Sequence, residues 1–229
     1  VFPEVTVLGC AFHYAQCILR NLQSRRPLFA VYQQSQDGPY NQAPFACVRL
    51  WVRRLIALCL LPAGLVRWAW TSILSELPFT MDPVVDAALQ DFAIYFANEW
   101  LSSEEKIWLW NHFYNSGART NNPIEGHNNG LHVDMDHQER PALGFFLKKL
   151  QQKHAATEQR LRQLKDNQPP KERQDAYILN DGEIEERKRA FHADWTAAVV
   201  LPDCDDVMRG HVVAYLDYQQ YRLGDTSSR

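Results

Sequence analysis

No stretch of this 229-residue chain is long and apolar enough to cross a bilayer. The longest apolar run, Leu55 to Val66, falls short of the ~20 residues that a spanning helix needs, contains Pro62 and is flanked by Arg53, Arg54 and Arg67. It reads as core, and a membrane is excluded as a partner. Cysteine is scarce: the five, at positions 10, 17, 47, 59 and 204, are an odd number without paired C-x-x-C spacing. That excludes a disulfide framework and a zinc ribbon, and points to a reducing compartment rather than secretion. No signal-peptide pattern and no internal repeat is present, and the chain begins at Val1 without Met, so we expect a piece of a longer protein.

A strong net charge is also missing, at −3 overall, but the charge is unevenly spread. Residues 1–73 hold seven arginines against Glu4 and Asp37, a net of +5, whereas residues 74–112 hold Lys106 against seven acids, a net of −6. Only local charge density matters to a phosphate backbone, so the basic part, Arg53 and Arg54 included, is a candidate DNA face, with a solvated helix face as the bland alternative. A hydrophobic content of 46% and seven Trp argue for a folded chain with a core of ordinary size.

Val5 to Cys10 is a short β-rich apolar run, which predicts a strand buried on both faces. Phe12, Ala15, Leu19 and Leu22 then fall at helical spacing, predicting a helix over residues 11–23 and placing Cys10 and His13 at its entry. A polar loop is expected at 33–44. After it comes a block of helices: one carries Val48, Val52, Leu55 and Cys59 and ends before Pro62, and one contains Leu65, Trp68, Ala69 and Ser72. A third starts at Asp82-Pro83, and a fourth opens with a capping box at Ser102 to Glu105 and carries Ile107, Trp108 and Trp110. Those aromatics are candidates for base stacking, with core packing the plainer account. Pro141 opens a long helix to about Lys165. Its seam of Leu143, Phe146, Leu147, Leu150, Leu161 and Leu164 lies opposite Lys148, Lys149, Lys153, Arg160 and Arg162, a helix-pairing or phosphate-facing surface if not a solvated one. Residues 167–173, with Pro169-Pro170, read as a linker. Beyond it lie a charged segment at 183–189, an apolar patch at 197–201, an acidic turn at 203–206 and a helix around 211–221, without recognisable chemistry.

The stretch from Arg119 to His132, R-T-N-N-P-I-E-G-H-N-N-G-L-H, reads as a helix start. Asn122 is suited to capping, Pro123 to the first helical position and Glu125 to the first turn, where negative charge is favoured. At 3.6 residues per turn Glu125, Asn128, Asn129 and His132 share a face, while Ile124 and Leu131 lie on a neighbouring apolar stripe. An exposed capped helix whose Glu only complements the dipole is the bland reading.

The run R-T-N-N-x-x-E-G resembles the third-acid motif of Mutator-like (MULE) transposases, and Cys10-Ala11-Phe12-His13 resembles the C-x-x-H that precedes it in that family, in the right order and about a hundred residues upstream. The resemblance spans about residues 1–165. It implies a mainly α chain with a short β remnant, the C-terminal part of an RNase H-like α/β domain with a helical insertion. On that reading residues 1–32 are the last strand and C-x-x-H helix, 33–118 the insertion, 119–166 the Glu-bearing and long helices, and 167–229 a linker and appendage.

By the same resemblance Glu125 is the third catalytic acid and a ligand of Mg²⁺ or Mn²⁺ in an intact DDE enzyme. Cys10, His13, Asn128, Asn129 and His132 shape the site, and Arg119, Asn121, Asn122, Lys148 and Lys149 join Arg53 and Arg54 as DNA contacts. DNA is the implied partner, with a homo-oligomer in the intact transposase, and the implied location is the nucleus, with the cytoplasm as alternative. Asn128 stands where the family usually has His, with His127 one place early. Both catalytic Asp residues of the family precede C-x-x-H, so they are expected upstream of Val1. Two-metal chemistry needs several carboxylates, so the chain alone is expected to be inactive. The alternatives are a transposase-derived protein that only binds DNA or a protein, and an ordinary helical interaction protein.

Overall fold

The computed structural model describes residues 6–34, 45–120, 122–166, 175–198 and 204–219. These form ten α-helices, two 3₁₀ turns and no strand: Ala11–Ser24 (α1), Arg26–Gln34 (α2), Phe45–Ala57 (α3), Val66–Ser75 (α4), Pro83–Trp100 (α5), Glu104–Trp110 (α6), Asn122–Asp134 (α7), Leu143–Lys165 (α8), Asp175–Ala198 (α9) and Cys204–Gln219 (α10). The chain is mainly α. No described helix is long and apolar enough to cross a membrane.

The strand expected at Val5 to Cys10 is corrected over its described part. Residues 6–10 are irregular, and Val7 is 73% exposed rather than buried on both faces. A strand needs a neighbour to complete its hydrogen-bond ladder. Here Gly9 instead donates its N–H to the carbonyl of Leu109 at the end of α6 (2.6 Å), and Ala11 donates to the carbonyl of Arg119 (2.8 Å). The loop expected at 33–44 starts later, since Gln33 and Gln34 end α2, and the remainder lies outside the described residues, as do the linker at 167–173 and Asn121.

The chain divides into two units, residues 1–120 with 180–229, and residues 121–179. In the first, the helical block expected from the apolar spacing is present. α1 buries Tyr14, Ala15, Ile18, Leu19 and Leu22 on one stripe. Asp82 caps α5, its side chain accepting from the amides of Val84 and Val85, and Pro83 sits in the first turn. α6 is capped by Ser103, which accepts from Lys106 N. With Lys at that third position this is a single cap and not the expected capping box.

The apolar run at 55–61 is wholly buried. α3 ends at Ala57 and a 3₁₀ turn, Leu58–Leu60, follows, which frees backbone carbonyls inside the core. Each needs a donor, because an unpaired buried carbonyl costs about 1–3 kcal/mol. Distant groups supply them: His112 N reaches Cys59 O (2.7 Å), Asn111 Nδ2 reaches Leu61 O (2.7 Å) and Tyr215 Oη reaches Leu60 O (2.5 Å). Tyr215 belongs to α10, so the expected C-terminal appendage is also corrected: Ile184 and Phe191 of α9 and Val212, Tyr215 and Leu216 of α10 are part of the first unit's core. The segment read as an acidic turn starts α10, with Asp205 and Asp206 in its first turn, where carboxylates are favoured.

In the second unit α8 has no buried residue, and Met135, in the turn after α7, is buried. Asp134 of α7 pairs with Lys153 of α8 at 3.0 Å. Pro141 precedes α8 by two residues rather than opening it.

Candidate functional site: where the two motifs meet

The lead of the second motif returns to the start of the first. Arg119 O accepts from Ala11 N, so residues 108 positions apart are joined backbone to backbone at the entry of α1. Cys10 is the N-terminal flanking residue of α1, extended at φ −80° and ψ 123°, half-buried, with its carbonyl accepting from Tyr14 N at 2.9 Å. His13, in the first turn, packs edge-on against Phe12 with ring centres 5.5 Å apart. A Cβ on Gly9 would stand 3.3 Å from Leu109 O, so this close backbone approach favours glycine.

A buried polar cluster holds that junction. His112 is 1% exposed; its Nε2 lies 2.8 Å from Gly9 O and its Nδ1 3.0 Å from Asn115 Nδ2. A carbonyl only accepts and an amide nitrogen only donates, so Nε2 carries the proton and Nδ1 accepts. Burial lowers the His112 pKa, opposed by the bond to Gly9 and reinforced by Lys188 and Arg119. Lys188 of α9, 4% exposed, donates to His112 O (2.8 Å), Asn115 O (3.2 Å) and Glu185 Oε1 (2.8 Å), which uses all three ammonium protons. Burial lowers its pKa as well, and Glu185 opposes the shift. Arg119 pairs with Asp181, and with Glu185 at 3.7 Å. Asp181, Glu185 and Lys188 stand four and three residues apart on one face of α9, in the region read as having no chemistry. That spacing puts the three on one helix face, but it is the carbonyls of His112 and Asn115 that show the face turns inward. Cys59, buried beneath, has its thiol pKa pushed up to about 12 by burial, so it is not a nucleophile at neutral pH.

Three of the expected DNA contacts are therefore corrected. Arg119 has a side chain 11% exposed and paired with two acids. Arg54 grips Asp217 bidentately (2.5 and 2.9 Å) and Glu76 (2.5 Å) with its side chain 9% exposed, and Arg53 is buried. A phosphate would have to displace carboxylates already in place. Asn121 and the side chain of Asn122 lie outside the described residues; Asn122 is within α7 rather than before it. Lys148 is exposed, and Lys149 Nζ sits 5.3 Å from the Phe145 ring centre.

In the second unit Glu125, Asn128, Asn129 and His132 are exposed along α7. Asn128 and His132 reach an open pocket of about 670 Å³ with Leu131, Met135, Leu143 and Phe146 on its walls; Glu125 and Asn129 are not among its lining residues. His132 and His137 meet edge-on at 5.1 Å, across a turn in which Asp136 (φ 55°) and His137 (φ 58°) are both left-handed. Among the described residues no group of three His, Cys, Asp or Glu side chains is arranged to hold a metal ion. Glu125 is a single carboxylate in such a setting, so the residues described do not by themselves fit a divalent metal. No protein-family pattern, no characterised protein and no solved structure matches the chain.

Proposed function

We propose that this chain is the C-terminal part of the catalytic domain of a MULE-type DDE transposase, whose intact form cleaves DNA and joins a 3′-hydroxyl to a target strand. The observation that supports the reading is the bond from Ala11 N to Arg119 O. The family order requires the third-acid motif to come back to the C-x-x-H junction after a long helical excursion, and the first residue of R-T-N-N does so. In this reading Glu125 is the third acid, Cys10 and His13 shape the junction, and two upstream Asp complete the carboxylate set. Metal-dependent phosphoryl chemistry belongs to that longer protein. The test is a protein extended through the two required upstream carboxylates. It is expected to bind Mn²⁺ by electron paramagnetic resonance and to nick element-end DNA, with both lost in Glu125→Gln at unchanged circular dichroism. Retained Mn²⁺ affinity in Glu125→Gln overturns the assignment.

One observation favours the non-catalytic alternative, a transposase-derived binding protein. Arg53, Arg54 and Arg119 are spent inside the fold, which removes basic groups that a DNA-processing surface uses. Upstream coding sequence with substituted Asp codons, together with Mn²⁺-independent behaviour of the extended protein, would favour it.

A further inference from the structure

We propose that α8 pairs in parallel with α8 of a second copy of this chain, along a leucine seam. This stands on α8 alone and is independent of the transposase reading. Leu143, Leu147, Leu150, His154, Thr157, Leu161 and Leu164 follow one another at alternating four- and three-residue steps. A repeat of 3.5 residues is the pattern that a second, supercoiling helix matches, whereas packing on a globular core requires only a broad 3.6-residue stripe. The seam is in water. Its five leucines are 71, 49, 36, 54 and 39% exposed in chain order, and no residue of α8 is buried.

The two polar members identify the occupant. In a copy aligned in register, His154 meets His154, Thr157 meets Thr157 and every leucine meets a leucine. A helix with a wholly apolar seam would instead bury the imidazole and the hydroxyl against hydrocarbon, which is unfavourable without a hydrogen-bonding partner. Flanking charge selects the orientation. In parallel, Lys153 faces Glu158 of the second copy and Arg160 faces Lys165, one attraction and one repulsion per side. Antiparallel, Lys153 faces Arg160 and Glu158 faces uncharged Gln151, so only the repulsion remains. Lys153 already holds Asp134 at 3.0 Å, and Glu158 lies 3.5 Å from His154 and 4.0 Å from Arg162, so the intermolecular pair adds to a local network rather than depending on free side chains.

The experiment is sedimentation equilibrium of the full chain from about 1 µM to about 200 µM, a range that reports dissociation constants of about 10 µM. Mass is expected to rise with concentration from 26.6 kDa toward twice that value. Leu147→Glu with Leu161→Glu, on exposed positions where folding is unaffected, is expected to stay monomeric throughout. His154→Leu is expected to pair about tenfold more tightly, because a polar side chain at this seam position weakens association. Circular dichroism verifies the fold of each variant. Oxidised Thr157→Cys dimers are expected to yield a peptide linked between the two 157 positions. A wild-type mass of one chain at every concentration, or variants that leave the association unchanged, overturns the pairing, and dimers without the linked peptide overturn the parallel alignment.

Discussion

Replacing Lys188 by Met tests whether the buried cluster holds the junction of the two motifs. The ammonium makes three bonds inside the first unit, and its loss leaves their acceptors behind. His112 O is buried and has no water to turn to, so it costs about 1–3 kcal/mol unpaired; Asn115 O is only partly buried and recovers part of its loss from solvent. Stranding a fully buried carboxylate would add roughly 3–5 kcal/mol. Glu185 is 36% exposed and still near Arg119, however, so it hydrates instead. Removing the desolvated ammonium itself gives some stability back. The net expectation is a loss of about 2–3 kcal/mol, with the Met methylenes keeping the packing. All seven tryptophans lie in the first unit, so tryptophan fluorescence in urea reports on that unit alone. The expected result is a midpoint lowered by roughly 1 M or more with an unchanged slope. A loss below about 0.5 kcal/mol, the range of an ordinary surface change, would refute the claim that Lys188 clamps the His112 loop.

Three further outcomes follow from the same geometry. His112 has a folded pKa below its free value of 6.5, so as pH falls through 6.5 the unfolded chain takes up a proton that the folded chain refuses, and stability drops until the folded value is passed. Above pH 6.5 both states are neutral and the ring contributes nothing; the fluorescence midpoint at pH 5.5 minus that at pH 7.5 is therefore expected to shrink in His112→Asn, and an unchanged difference would contradict the burial argument. Gly9→Ala puts a Cβ 3.3 Å from Leu109 O and is expected to cost about 1 kcal/mol by the same assay, with a gain in stability counting against the close approach. The chain itself is expected to show no metal-dependent DNA cleavage, and nicking that Glu125→Gln abolishes would refute the requirement for further carboxylates.

The helices were legible because their determinants are local. Three-and-four apolar spacing marks α1, α3 and α5, and Asp82-Pro83 marks a start that the structure caps as expected. What misled was context. Val5 to Cys10 has strand composition, but a strand is a relation between two segments, and Gly9 and the adjoining Ala11 find single backbone partners at Leu109 and Arg119 instead. Ser102 to Glu105 contains the letters of a capping box, yet the helix begins one residue later, so Lys106 occupies the position that the box reserves for an acid. α9 carries the decisive Asp181, Glu185 and Lys188, but nothing in their spacing says that they face inward; that follows from the carbonyls of His112 and Asn115, more than seventy positions away.

The same limit explains where the basic charge of the first third goes. A sum of +5 over residues 1–73 suggests a DNA face only while each arginine is counted as facing water. Arg54 instead joins α3 to α10 through Asp217 and to the residue that ends α4 through Glu76. Arg67 meets Glu104 at 2.5 Å, Arg25 lies over the Phe92 and Tyr95 rings, and Arg49 lies over Tyr32. Two of these partners, Glu76 and Glu104, come from the acidic stretch that follows in the chain, so part of the two opposite biases cancels inside one unit. Cations committed to carboxylates and ring faces release few counterions from a nucleic acid, and affinity for phosphate scales with the counterions released. The exposed bases of α8, Lys148, Arg160, Arg162 and Lys165, are then the ones whose loss lowers the salt dependence of any DNA binding, whereas Arg20 and Arg26 are the exposed remainder of the first third. A charge count over the sequence thus overstates a basic surface when several of the arginines that produce it hold the fold together.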